Sequence, residues 1–133
     1  WTLSRGLGDV YKRQMYLRAK GFHGPYLSSN LSSKNYKEIL SKNLSREVQD
    51  ELAKDRADTP KINPESLERF NYFLDLILNR RSLCFKLNRT IKDKQQKGNK
   101  FEHEWSHALN EYHEYLIFSI DADECFTLIL AYD

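Results

Sequence analysis

His103-Glu104-Trp105-Ser106-His107 sets two imidazoles four residues apart with a carboxylate between them. On a helix those imidazoles lie one turn apart on one face, where both can bind a single zinc ion while the glutamate takes a proton from a metal-bound water. The chemistry would be metal-assisted hydrolysis, with His103 and His107 as ligands and Glu104 as general base. A third ligand would come from His113 or from a residue beyond the end of the chain. Asn110 decides the first option. Asparagine tolerates the left-handed backbone that ends a helix, and a break there would let His113 swing back toward His103. An unbroken helix would instead lift His113 roughly 15 Å along the axis from His103. The spacing of Leu109, Tyr112 and Leu116 predicts continuation. Glu104-x-x-His107 is also half of a carboxylate-bridged di-iron set, but the chain holds no second Glu-x-x-His.

The segment from His103 to His113 resembles the active-site helix of zincin metallopeptidases, whose longer form is HExxHxxGxxH. Asn110 stands where that form has glycine, and Ala108 and Leu109 suit its small and apolar flanks. The resemblance covers eleven residues and implies a zinc-dependent hydrolase with zinc as cofactor.

A second set of residues suits contact rather than catalysis. Arg80, Arg81, Lys86, Arg89, Lys92, Lys94 and Lys97 form a basic run that can meet the acidic surface of a protein or the phosphates of a nucleic acid. His23, between Gly21 and Gly24, has no visible partner and is assigned no role.

Charge over the whole chain argues against a polyanion as the general partner. The 133 residues carry a net charge of +2. Asp9-Val10-Tyr11-Lys12-Arg13-Gln14 resembles translated sequencing-adapter DNA, so residues 1–14 are read as adapter-derived and the native frame as starting near Met15. Removing them takes away Arg5, Lys12, Arg13 and Asp9, which leaves 18 basic and 18 acidic residues. Cys84 and Cys125 lie far apart with no CxxC spacing, which predicts reduced thiols and a cytoplasmic protein. No run of 18 apolar residues is present, so no membrane partner is expected.

The elements that must position these residues read as helices. Residues 15–33 are a loop or arm, dense in glycine and serine, and residues 34–133 form one helical domain. Tyr36, Ile39 and Leu40 make a short helical stripe, and Val48 with Leu52 makes another behind Ser45 as N-cap. Asn63-Pro64-Glu65 combines a cap, a proline at the first helical position and an early acid, so a helix starts at Pro64. Its apolar positions continue through Phe70, Leu74, Ile77, Cys84, Phe85 and Ile91, with a bend at Asn79-Arg80-Arg81-Ser82. Gly98-Asn99 ends it, and a second long helix returns through Phe101, Trp105, Tyr112 and Leu116. In that pattern His103, His107, Asn110, Glu111 and Glu114 share the solvated face. Asp121-Ala122-Asp123-Glu124 reads as a capping box that opens a last helix through Phe126, Leu128 and Leu130.

The expected fold is therefore all-α: a small helical bundle on a long antiparallel αα-hairpin from Pro64 to Phe118, complete or a fragment of a larger protein. The expected function is a non-catalytic interaction domain that binds a protein or a nucleic acid without a cofactor. Trp105 and Tyr112 would be its packing anchors and Arg80 to Lys97 its contact surface. The alternative is the zinc-dependent hydrolase.

Overall fold

A computed structural model describes residues 2–3, 21–56, 61–89 and 111–132. The elements in chain order are β1 (Thr2–Leu3), β2 (Phe22–His23), β3 (Tyr26–Leu27), β4 (Tyr36–Ile39), α1 (Ser41–Ala53), α2 (Pro64–Leu78), β5 (Ser82–Leu87), β6 (Glu111–Ser119) and β7 (Glu124–Tyr132). Strands β4 to β7 form an antiparallel sheet, and β1 adds to it in parallel on β7. The order across the sheet is β1-β7-β6-β5-β4, and β2 with β3 makes a separate hairpin. No helix among the described residues is long and apolar enough to cross a membrane.

This architecture overturns the all-α bundle. The start of α2 lies where the sequence predicts it. Asn63 Oδ1 accepts from the Glu65 backbone N–H at 2.9 Å and from that of Ser66 at 3.4 Å, and Pro64 opens the helix. Phe70, Leu74 and Ile77 are buried along one stripe. The helix then stops at Leu78 with Asn79 as C-cap, and Ser82–Leu87 is a strand rather than the far side of a bend. The hairpin's returning helix is contradicted from Glu111 onward, where the chain runs extended to Ser119. The helix expected through Phe126 and Leu130 is strand β7. Asp123, inside the supposed capping box, takes φ +51°, the left-handed conformation of a turn residue.

The physical reason is common to all three segments. Short apolar runs satisfy helical and extended spacing alike, and composition arbitrates between them. Tyr112, Tyr115, Ile117 and Phe118 in β6, and Phe126, Thr127, Ile129 and Tyr132 in β7, are aromatic or β-branched and suit a pleated surface. Earlier in the chain, Tyr36–Ile39 is a strand, not a helical stripe. The following helix starts at Ser41, so Ser45 is internal rather than a cap.

Two compact units divide these elements. Residues 2–3, 21–37, 86–89, 111–115 and 127–132 belong to the first, and residues 38–56, 61–85 and 116–126 to the second. Tyr26, Leu87, Tyr112, Ile129 and Ala131 form a buried cluster in the first unit, with Leu31 and Tyr36 packed against it. In the second, Leu44 and Val48 of α1 are fully buried, and Gln49 of α1 donates to Asn71 of α2 at 2.7 Å. Phe73 of α2 meets Phe126 of β7 edge to face, with ring centroids 5.9 Å apart.

Candidate functional site

Glu114 is the least expected residue of the first unit. It lies on β6 with its side chain fully removed from solvent, where an unpaired carboxylate would be strongly disfavoured. Three donors from three parts of the chain meet it. His23 Nε2 lies 2.6 Å from Oε2, the Tyr112 hydroxyl donates to Oε2 at 2.8 Å, and the Tyr36 hydroxyl donates to Oε1 at 2.8 Å. Burial alone would raise the carboxyl pKa. The hydrogen bond and charge of His23 and the two phenol hydrogen bonds outweigh it, and the pKa lies below its ordinary value. Glu114 is thus an ionised, acceptor-only group at neutral pH, which requires the hydrogen of the contact to sit on His23 Nε2. Tyr36 Oη and His23 Nε2 approach to 3.5 Å, but both donate to the carboxylate, so that approach is packing rather than a hydrogen bond.

Local structure explains how His23 arrives there. His23 pairs with Tyr26 across a two-residue turn, Gly24-Pro25. Gly24 has φ +56°, the sign that a type II′ hairpin turn demands at its first central position. A Cβ on Gly24 would fall 2.5 Å from Cζ of Tyr112, so only glycine lets the turn press on that ring. Tyr26 then meets Tyr112 edge to face, with centroids 5.9 Å apart. The Arg89 guanidinium covers the Tyr26 ring at 4.3 Å. Tyr112 is held protonated. Burial first, then the charge and hydrogen bond of Glu114, push its phenol well above the usual tyrosine range.

The outer part of His23 is open. Its side chain is 27% exposed, and its Nδ1 has no hydrogen-bond partner among the described residues. A carboxylate that fixes one imidazole nitrogen leaves the other, in the neutral ring, as a lone pair directed by the protein.

The second unit carries a different feature. Side chains alternate between the faces of a strand, so Leu83 and Phe85 share one face of β5, and Leu116 and Phe118 share one face of β6. Phe85 and Phe118 meet edge to face at 5.9 Å, which puts both pairs on the same side of the sheet. On the opposite side Cys84, Ile117 and Ser119 are buried, and Phe126 meets α2. The first side is open: Leu83 is 37% and Phe118 38% exposed, and Ile120 in the following turn reaches 55%. Cys125, adjacent to Phe126 and therefore on the open side, is also exposed.

The residues singled out from the sequence are distributed differently. His103, Glu104, His107, Asn110, Trp105, Lys92, Lys94 and Lys97 lie outside the described residues, as does most of residues 1–20. His113 is on strand β6 rather than on a continuing helix, and its Nε2 lies 3.2 Å from Glu111. Glu114, expected on a solvated helix face, is the buried centre of the cluster. The basic run is no single helical surface. Arg80 and Arg81 are exposed after α2, with Arg80 donating to Glu124 at 3.0 Å, whereas Lys86 lies within β5 and Arg89 packs on Tyr26. His23, given no role from the sequence, is the only imidazole of the cluster among the described residues. The signal that could have found it is the Gly-Pro turn beside it, which marks a hairpin.

Searches of protein families find no match. Neither curated proteins nor solved structures resemble the chain.

Proposed function

We propose that this chain is a protein-interaction domain that docks through the open face of its sheet, and that the occupant is a second copy of the chain. One observation supports this reading above others: Leu83, Phe85, Leu116 and Phe118 form an apolar patch with Glu38 and Arg81 at its margins, and Leu83 and Phe118 are exposed. An apolar patch is complementary to itself. Two copies related by a twofold axis would bring these apolar residues together. The chain's net charge of +2 offers little repulsion against such pairing. The outer side of α2 is a poorer candidate, because its exposed Tyr72 and Leu76 stand among Glu68, Arg69 and Asp75.

Sedimentation velocity over a concentration series tests the proposal. The expected result is a monomer–dimer equilibrium abolished by Phe118→Asp, which forces a carboxylate into the contact. Arg69→Glu, on the exposed side of α2, should leave it intact. A chain that stays monomeric at high concentration, or a dimer indifferent to Phe118→Asp, would contradict it.

A further inference from the structure

The buried cluster of the first unit has an open imidazole that the interaction reading does not use. We propose that His23 is a nucleophilic site for phosphoryl transfer, with Nδ1 as the attacking atom and small phosphoryl donors as the substrate class.

Four observations converge on it. Nε2 is committed as a donor to Glu114, so once the imidazolium has lost a proton to solvent the reacting, neutral ring carries its only lone pair on Nδ1. Attack through Nδ1 turns the ring into a cation, and a buried carboxylate 2.6 Å from Nε2 stabilises that charge where water does not compete. The ring is held in place before any ligand arrives, because the turn that carries it is fixed by Gly24 against Tyr112 and the carboxylate is fixed by Tyr36 and Tyr112. Finally, the residue paired with His23 across the hairpin is Tyr26, and the Arg89 guanidinium lies 4.3 Å from its ring centroid. A permanent positive charge on the ring of His23's hairpin partner favours an anionic electrophile over a neutral one.

The step balances without a redox partner. With phosphoramidate as donor, the Nδ1 lone pair forms the nitrogen–phosphorus bond. The donor's own phosphorus–nitrogen bond breaks, and ammonia leaves with the electron pair. The Nε2 hydrogen stays on the ring, bonded to Glu114. The product is Nδ1-phosphohistidine.

The test uses the full chain with phosphoramidate at neutral pH, and maps the adducts by peptide mass spectrometry under non-acidic conditions. His113 in the same molecule is the internal reference. His23 should label at least about tenfold faster than His113, the rate equivalent of one substantial electrostatic contact. Glu114→Gln should remove that advantage and leave the His113 rate unchanged. If Glu114→Gln fails to fold, Tyr36→Phe serves instead, since it frees one carboxylate oxygen and should lower the His23 rate alone. Diethyl pyrocarbonate, a neutral acylating reagent, separates the substrate classes. The His23 advantage over His113 should be smaller with it, and Arg89→Gln should bring the two reagents level. Equal labelling of His23 and His113, labelling indifferent to both carboxylate-site variants, or an equal advantage toward the neutral reagent would overturn the proposal.

Discussion

Removing single hydroxyls around Glu114 should cost unequal amounts of stability, and the order follows from which oxygen each hydroxyl serves. Oε2 accepts from both His23 and Tyr112, whereas Oε1 accepts from Tyr36 alone among the described residues. Tyr112→Phe therefore leaves Oε2 with its His23 partner, while Tyr36→Phe strands Oε1. A hydrogen bond to a charged group contributes on the order of 1.5–3 kcal/mol, and a buried acceptor left without a partner loses the upper part of that range. The expected losses are about 1.5 kcal/mol for Tyr112→Phe and about 3 kcal/mol for Tyr36→Phe. Both variants keep the ring, so packing against Tyr26 and Gly24 is retained for Tyr112 and the urea m-value should not change. Urea unfolding at neutral pH measures both. A Tyr112→Phe loss equal to or larger than the Tyr36→Phe loss would refute the assignment of partners. Losses under about 0.5 kcal/mol for both would refute an ionised, desolvated Glu114.

Three further outcomes follow. Gly24→Ala should destabilise by roughly 2–4 kcal/mol, from left-handed strain plus overlap with Tyr112, and a neutral result in thermal unfolding would show that the turn does not press on the ring. The folded pKa of Glu114 is depressed, so its contribution to stability is present above the unfolded carboxyl value of about 4.3 and is lost as pH falls through the lower folded value. The folded pKa of Tyr112 is raised, so its contribution is present below about pH 10 and is lost as pH climbs through the folded value. Unfolding free energy measured against pH should show both edges, and Glu114→Gln should flatten the acid one. With a thiol reagent, exposed Cys125 should react in the native protein while buried Cys84 waits for unfolding, its pKa raised by burial against a weak contact with Ser82; equal rates would contradict that difference.

The start of α2 was legible because its signals are local: Asn63, Pro64 and Glu65 act within one turn of the helix they begin. The sheet was not, because Leu83 to Leu87 and Tyr112 to Ser119 fit helical spacing and extended alternation at once, and only pairing with distant strands decides between them. Glu114 was hidden for a related reason. Its partners lie 91, 78 and 2 residues away, at His23, Tyr36 and Tyr112, and a carboxylate beside a histidine on a helix pattern reads as solvated surface. The burial of the Tyr112 ring was anticipated, though as a helix anchor rather than as a strand residue under a glycine. The open face could not be seen at all without the strands that bring Phe85 to Phe118.

The proposal that the sheet docks on a second copy is tested most directly by following backbone amide resonances as the protein is diluted. Shifts confined to Leu83, Phe85, Leu116, Phe118 and Ile120, and absent in Phe118→Asp, are the predicted result. A spectrum unchanged by dilution, or shifts centred on Tyr72 and Leu76 of α2, would contradict it.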